Sequence, residues 1–546
     1  MEDKTLTDPS YDWIPDYIDH SYIGKFLIKG KIKSLPFLNI NSSKEEYLKY
    51  FNNCWLLTES LFSGLKTKAD FYKQPYHQLR HPLIFYYGHV AALYINKFIL
   101  AGLITKEIDK NLEKILEVGV DEMTWDVDTK NNQIVWPEPD DVMEYRKKAY
   151  QLITKIILEN DELFNKKVDQ ENPLWAILMS FEHERIHLET SSVIIRELGI
   201  ESVQYPKMFE RYNYLDGTNK NPQVQIDYPK NELIEVKETK CQIGKTNFST
   251  YGWDNEYGHD ERLVENFSTS KFLISNGEFF EFVKESGYHE DKFWCENGLK
   301  WRKFRNTSHP TFWVEDGPQG SNIYKLRTCF EIIDMQWNWP VIVNHFEAKA
   351  FCRYKSQKEN CHFRLPFETE HKALGSFEDY VVKNNSQHNI NFNLKNLSEN
   401  SVDKNYQNDN GFFDVHGNVW QWLEDDFYPL DGFKIHNYYA DFSTPCFDDK
   451  HKMIAGSSFF STGNLASIYS RYHFRPHFFQ HAGFRIVKSS RKNDQKLSIK
   501  FETKDPKTNV EYVVFEENGQ LKIETKNSFL VDYPKKMVLT DLSLKR

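Results

Sequence analysis

The feature that most constrains the fold of this chain is a change of pattern near Tyr212. Before it, apolar residues recur at helical spacing; after it, the segments are short, rich in aromatic residues and interrupted by Gly, Asn and Asp. At 546 residues the chain is too long for one ordinary core. We expect an α+β protein with a helical domain over residues 1–225, a mixed α/β domain over residues 232–488 and a tail over residues 489–546.

The first part has the start signals of several long helices. Ser43 and Glu46 form a capping-box pattern, and Asn172-Pro173 is typical of a cap followed by a first helical turn. Four long helices joined by longer connections predict an antiparallel bundle. The expected helices run from Ser43 to Phe62, from Pro82 to about Leu103, over Asp140–Leu158 and over Leu174–Leu198. In the third helix the expected buried stripe is Met143, Ala149, Ile153, Ile156 and Ile157.

Composition excludes several classes of protein. The net charge of −10 and the lack of a basic stripe argue against nucleic-acid binding. The longest apolar runs carry polar or charged residues, so no membrane span is expected. Seven scattered cysteines without a CxxC pair predict reduced thiols, and the acidic N-terminus lacks the apolar core of a signal peptide. We therefore expect a cytoplasmic protein that acts on small molecules, of unknown oligomeric state.

The fourth helix carries the strongest chemical signal. His183 and His187 are four residues apart, so their imidazoles lie on one helix face and can bind one metal ion. The alternative is a partly exposed pair on an amphipathic helix. Because the surrounding residues are mostly apolar, the pair is expected to point into the bundle, where buried imidazoles need partners.

A third ligand is expected from the second helix. His89 lies mid-helix beside Gly88, whose small size lets a partner helix approach closely. His77 and His81 are competitors, but they lie at or before the start of that helix. Three imidazoles leave coordination positions open, unlike a closed zinc site with four protein ligands. Such a site lacks negative charge, which a thiolate substrate would supply.

The same residues allow a different interpretation. His183-Glu184-Arg185-Ile186-His187 satisfies the HExxH pattern of zinc peptidases, in which Glu184 would be the general base. The pattern is short and has many chance matches. A third hypothesis is a binding module without catalytic activity.

Several motifs, in a fixed order, resemble a known family. Gly88-His89 and the run His183–Ser191 are followed by second-half motifs that include WDNEYG, SNGEFFEFV, RLPFETE, DVHGNVWQW and HAGFRIV. Over roughly residues 20–488 the chain resembles the sulfoxide synthases of thiol-histidine biosynthesis. That resemblance implies a DinB-like four-helix bundle followed by a domain like formylglycine-generating enzyme, with a C-type-lectin-like fold. Activity of the formylglycine-generating kind is not expected, because no closely spaced cysteine pair is present in the matching C-terminal stretch.

The resemblance also implies a cofactor and site residues. The cofactor would be Fe(II), held by His89, His183 and His187. Tyr439 would be the catalytic tyrosine, with Tyr438 as the alternative. Substrate-binding residues would come from the segment SRYHFRPHF. They would be Arg471, Tyr472 and Arg475, although each arginine could instead form a structural ion pair.

Within the family, the chain resembles the ovothiol branch, the 5-histidylcysteine sulfoxide synthases. RHPLIFYYGH, the run Val118–Asp126 and the run Tyr439–Asp448 carry this likeness. It implies that cysteine, histidine and dioxygen react to form 5-histidylcysteine sulfoxide. Ile186 stands where ergothioneine-pathway relatives have a polar residue, which favours histidine over its betaine, hercynine. The alternatives are a hercynine oxygenase that uses a sulfur donor or a selenium donor. Many ovothiol synthases also carry a methyltransferase domain, which the tail is too short to form.

Overall fold

The computed structural model describes most of the chain. The described residues are 15–18, 20–28, 30–74, 80–117, 134–165, 168–214, 217, 221–318, 320–375, 389–489, 498–504, 511–517 and 520–525. The run Val118–Asp126 and His77 therefore lie outside the described residues.

The first part is helical, as predicted, and its long helices begin at the expected caps. Ser43 accepts a hydrogen bond from the Glu46 amide in a capping box, and the Asn172 side chain accepts one from the Leu174 amide. A two-stranded hairpin precedes the bundle: β1 is Leu27–Ile28 and β2 is Lys31–Ile32. The helices are α1 (His20–Phe26), α2 (Lys44–Phe62), α3 (Leu83–Leu100), α4 (Lys110–Leu116), α5 (Pro139–Glu159), α6 (Asp161–Phe164) and α7 (Pro173–Glu197).

The expected stripe of α5 is buried at three of its five positions, and Ile156 is half-buried. Ala149, Ile153 and Ile157 are fully buried, whereas Met143 is 42% exposed. Val142 is buried in its place. The first turn of α5 therefore faces the core one position earlier than the periodicity predicted.

The second part is the predicted mixed domain with short elements. Its helices are α8 (Asn276–Lys284), α9 (Glu296–Arg305), α10 (His345–Glu359) and α11 (Glu368–Ala373). Its strands are β3 (Leu233–Val236), β4 (Thr239–Ile243), β5 (Asp260–Val264), β6 (Phe267–Ser270), β7 (Trp313–Glu315), β8 (Tyr324–Arg327), β9 (Ile332–Asp334), β10 (His362–Arg364), β11 (Trp420–Asp426), β12 (Lys452–Ala455), β13 (Tyr472–Phe474), β14 (Ala482–Gly483) and β15 (Val487–Ser489).

These strands form small sheets. The order β10-β15-β6-β3 makes one four-stranded sheet and β13-β12-β11-β14 another. Strands β7-β8-β9 make a three-stranded sheet, and β4 pairs with β5. In the tail, β16 (Ser498–Lys504), β17 (Glu511–Glu517) and β18 (Gln520–Thr525) form an antiparallel meander.

Helix α7 joins the two parts. The Glu189 carboxylate accepts hydrogen bonds from the Trp420 indole at 2.8 Å and from the hydroxyls of Ser458 and Ser461 at 2.5 and 2.7 Å. Near the end of α7, Arg196 forms a buried ion pair with Glu399 at 2.6 Å. One face of α7 therefore anchors the second domain and leaves another face for the bundle interior.

Helix α3 is apolar enough to cross a membrane by length and composition. Among the described residues it is the one helix that passes this test, and 83% of the 18-residue segment Leu83–Leu100 is buried inside the protein. Burial of this kind is typical of a core helix, and the other helices of the bundle surround α3.

Candidate metal centre

Two histidines of α7 face the bundle interior together. The helix is buried on nearly every side, and His183 and His187 are only 3% and 6% exposed. Their Nε2 atoms are 3.1 Å apart. The sequence spacing therefore places both imidazoles on one face, as predicted.

His89 of α3 completes a cluster of three imidazoles. Its ring centre lies 5.1 Å from that of His183 and 4.7 Å from that of His187. One ligand nitrogen from each residue lies within 4.8 Å of the others. The structure thus brings together the three predicted ligands from two helices that pack against each other.

Hydrogen bonds orient two of the rings. The Nδ1–H of His89 donates to the Leu116 carbonyl at 2.5 Å, and the Thr190 hydroxyl lies 3.4 Å from His187 Nδ1. The Nε2 of His89 is buried and has no hydrogen-bond partner within the described ranges. A metal ion would satisfy that nitrogen, and a backbone partner on Nδ1 is the usual support of a metal-binding histidine. The residues present therefore fit a metal ion.

Burial keeps these imidazoles neutral near pH 7. It lowers the pKa of His89 to about 4 and lowers the pKa of His183 and of His187 well below the ordinary value. Neutral imidazole is the form that binds metal ions. Three neutral nitrogen ligands leave positions open for small molecules.

The competing histidine His81 precedes α3 and contacts other residues. The His81 ring packs against Phe85 and Trp136, with ring centres 4.6 and 5.3 Å away. The candidate cluster does not include it.

Glu184, the general base of the peptidase hypothesis, is held inside the bundle. Its carboxylate accepts hydrogen bonds from the Thr58 hydroxyl and the Tyr94 hydroxyl, both at 2.8 Å. Because both oxygens are engaged in the bundle core, this carboxylate has a structural role. The HExxH match therefore loses its catalytic base.

The second domain places a tyrosine beside the histidines. The half-buried Tyr439 ring lies 6.1 Å from the His183 ring, centre to centre. The hydroxyl of the neighbouring Tyr438 instead donates to the Glu171 carbonyl at 3.0 Å. Of the two tyrosines, Tyr439 is thus the one that faces the metal centre.

A buried lysine accompanies this tyrosine. The Nζ of Lys97, on α3, lies 3.7 Å from the centre of the Tyr439 ring. Burial lowers the pKa of Lys97 to about 8. Sequence analysis missed Lys97, although it follows His89 by eight residues on the same helix, which is close to two turns.

Arg471 is not placed as a substrate-binding residue would be. It is buried in a two-pronged ion pair with Glu368, with N–O distances of 2.8 and 3.0 Å. It also donates to the carbonyls of Asn255 and Tyr428. These contacts favour the structural alternative for Arg471.

The other two residues of that segment have different surroundings. The buried Tyr472 ring lies 5.6 Å from Trp420, the residue that donates to α7. Arg475 is half-buried, and its charge acts on Asp448. Substrate binding by Tyr472 and Arg475 stays a prediction.

Arg80 is a second residue that sequence analysis missed. It is 4% exposed, and its guanidinium lies 4.7 Å from the centre of the Phe478 ring in the second domain. After burial and His89, its charge is the next contribution that lowers the pKa of His187. Its Nη2 is buried without a hydrogen-bond partner among the described residues. The signal in the sequence was an arginine immediately before the helix that carries His89.

Comparison with protein families divides the chain as its fold does. Residues 50–191 match the DinB superfamily, and residues 220–490 match the sulfatase-modifying factor enzyme 1-like domain. The chain pairs a DinB domain with a sulfatase-modifying-factor domain. The three histidines lie in the first match and Tyr439 in the second, so the candidate centre lies between the two domains. The predicted fold class is confirmed.

Curated relatives share this region. Ergothioneine biosynthesis protein 1 of Schizosaccharomyces pombe is 24% identical over 455 residues, covering 75% of this chain and 52% of that protein. Hercynine oxygenase of Mycobacterium tuberculosis is 26% identical over 218 residues, covering 38% and 48%. Ergothioneine biosynthesis protein 1 of Neurospora crassa is 20% identical over 475 residues, covering 71% and 51%. The chain spans about half the length of the curated relatives it matches.

Proposed function

We propose that this chain is a non-haem iron oxygenase that joins the sulfur of a thiol amino acid to an imidazole carbon. The observation that carries the proposal is the cluster of three buried imidazoles, His89, His183 and His187, with Tyr439 of the second domain facing it. The thiol and the imidazole each lose one hydrogen. One oxygen atom of dioxygen enters the sulfoxide, and the other leaves as water with the two hydrogens. The four-electron reduction of dioxygen thereby balances two electrons from carbon–sulfur bond formation and two from sulfur oxidation.

The donor set supports iron with open positions. Three neutral histidines add no negative charge, which suits a thiolate ligand from the substrate, and a closed zinc site would need a fourth protein ligand. Iron would supply the binding of thiolate and dioxygen.

The chain's own residues would orient the reactants and manage protons. The Tyr439 hydroxyl is proposed as the proton donor to the reacting oxygen, and the Lys97 ammonium holds the ring by a cation–π contact of about 0.5–2 kcal/mol. Arg80, whose buried Nη2 has no hydrogen-bond partner among the residues that the structure describes, is proposed to bind a substrate carboxylate. Burial of α3 and α7 keeps bulk water from the centre.

The identity of the imidazole substrate separates two candidates. The name of the Mycobacterium tuberculosis relative, hercynine oxygenase, favours hercynine, the trimethylated form of histidine, over histidine itself. Ile186 favours histidine, because it provides no polar group beside the two helix histidines. Cysteine is the proposed sulfur donor for either acceptor.

A competition experiment between hercynine and histidine tests the proposed oxygenase activity and the choice of imidazole substrate. The full chain would be loaded anaerobically with Fe(II), mixed with cysteine and equal amounts of hercynine and histidine, and exposed to oxygen. We expect one sulfoxide conjugate in large excess by mass spectrometry, and the major acceptor identifies the branch. The absence of a conjugate with either acceptor would contradict the oxygenase proposal.

A matched pair of variants links the activity to the cluster. His183→Ala should lose stoichiometric iron and conjugate formation together. His81→Ala, which removes a buried histidine of the same region outside the cluster, should keep both. Casein hydrolysis by the zinc-loaded protein would instead support the peptidase hypothesis.

A further inference from the structure

A second cluster of metal-binding side chains lies in the sulfatase-modifying-factor domain. Cys446 ends the short 3-10 helix Thr444–Cys446, His451 precedes β12, and His473 is the middle residue of β13. One ligand atom from each lies within 4.8 Å of the others. Strand pairing places His473 opposite Met453, two residues after His451.

One ring nitrogen of His451 and one of His473 are positioned to bind a further atom. The Nδ1–H of His451 donates to the Asp448 carboxylate at 2.9 Å, so its Nε2 carries the lone pair. That Nε2 and the Nδ1 of His473 are both buried, and neither has a hydrogen-bond partner in the part of the chain that the structure describes. A buried nitrogen without a partner destabilises the folded protein, and one ion bound by both nitrogens and the neighbouring thiol would satisfy them together.

Packing fixes the orientation of both rings. His473 stacks on Phe427 with ring centres 3.9 Å apart, and the His451 ring stands at 90° to that of His473. Asp448 also accepts hydrogen bonds from the amides of Lys450 and His451, which hold its carboxylate in place. A carboxylate behind a histidine is the usual support of a metal-binding imidazole.

We propose that Cys446, His451 and His473 bind a zinc ion. One thiolate and two imidazoles form a ligand set that zinc prefers, with a water molecule as the fourth ligand. Zinc bonds of about 2.0–2.3 Å bring ligand atoms to roughly 3.3–3.8 Å of one another. Because the ligand atoms lie within 4.8 Å of one another, they move together by no more than about 1.5 Å on binding, and the Cys446 thiol loses its proton.

The position of this site gives it a structural effect. Residues 427–451 connect β11 to β12, and this connection carries Tyr439 to the histidine cluster. Zinc would tie the end of the connection to β13. The ion would thereby hold the loop that presents Tyr439.

Cobalt substitution distinguishes this site from the three-histidine cluster, which contains no thiol. The full chain would be freed of metal with a chelator and titrated with Co²⁺. We expect a thiolate-to-cobalt charge-transfer absorption in the near ultraviolet. It should stop increasing once the site that contains Cys446 has bound one equivalent of Co²⁺. The wild-type titration is decisive in itself: no such absorption would overturn the proposal.

Variants then assign the ligands. Cys446→Ser should abolish the absorption, whereas Cys361→Ser and His89→Ala should leave it unchanged. Asp448→Asn, a milder change, should keep the absorption and weaken Co²⁺ binding by about 10–100-fold. Circular dichroism of each variant would establish that it is folded. Persistence of the absorption in folded Cys446→Ser would overturn the assignment, whatever the outcome for oxygenase activity.

Discussion

The Lys97 ammonium lies 3.7 Å from the centre of the Tyr439 ring, and this contact joins the two domains at the candidate metal centre. Lys97 belongs to the helix that carries His89, and Tyr439 to the connection between β11 and β12. The position of Tyr439, the proposed catalytic tyrosine, therefore depends on a charge supplied by the helical bundle.

Replacing Lys97 by methionine should raise the stability of the folded chain and lower its activity. Burial lowers the pKa of Lys97 to about 8, below its ordinary value of 10.5. Between these two values the unfolded chain binds more protons than the folded chain, so the contribution of Lys97 makes stability rise with pH over that window. At pH 7 the buried charge is a cost of up to about 3 kcal/mol. Lys97→Met should raise Tm at pH 7 and lower conjugate formation, whereas an unchanged Tm at pH 7 would contradict the burial cost.

Tyr439→Phe should change the products without removing iron. Losing the proposed proton donor should shift the products from the sulfoxide conjugate toward simple oxidation of the thiol, by about 10²–10⁴-fold in rate for the conjugate. Tyr438→Phe is the matched control, because its hydroxyl contacts the Glu171 carbonyl instead. Equal product ratios in the two variants would rule out this role for Tyr439.

Arg80→Gln should weaken substrate binding. A hydrogen bond to a charged group contributes about 1.5–3 kcal/mol, so KM for the amino acid bound through Arg80 should rise by about 10–100-fold. Iron content and kcat should change little, and Arg80→Lys should recover part of the loss. Steady-state kinetics with each substrate varied would identify which carboxylate is bound. An unchanged KM for both substrates would refute the assignment.

Arg471→Gln should act on stability instead. Breaking its buried pair with Glu368 leaves a carboxylate without its cation, at a cost of about 3–5 kcal/mol. Denaturant unfolding should show that loss, while KM of the folded fraction stays at the wild-type value. A raised KM with unchanged stability would restore the substrate-binding role predicted from the sequence.

Gly88→Ala should weaken the iron site indirectly. A Cβ at this position would lie 2.7 Å from the Leu116 side chain and 3.2 Å from Val142. Leu116 also supplies the carbonyl that orients His89. Overpacking of about 1–3 kcal/mol should displace that carbonyl and lower iron affinity, measured by titration of the apoprotein. Ala91→Gly, one turn further along the same helix, adds no volume and should leave iron affinity unchanged.

Local sequence signals determined much of this protein. The caps at Ser43 and Asn172 fixed where α2 and α7 begin, because a side-chain oxygen satisfies an amide at the start of a helix. The four-residue spacing of His183 and His187 fixed their common face, since helical geometry is local. The order of the motifs along the chain also indicated both domains.

Only the tertiary structure decided which distant residues meet. The packing of α3 on α7 selected His89 over His81, and the connection from β11 to β12 selected Tyr439 over Tyr438. The same packing placed Arg471 in an ion pair, Lys97 against the Tyr439 ring and Arg80 against Phe478 of the second domain. Spacing along the chain cannot predict such meetings, because they depend on how whole elements pack, whereas caps and helix faces depend on neighbours within a few residues.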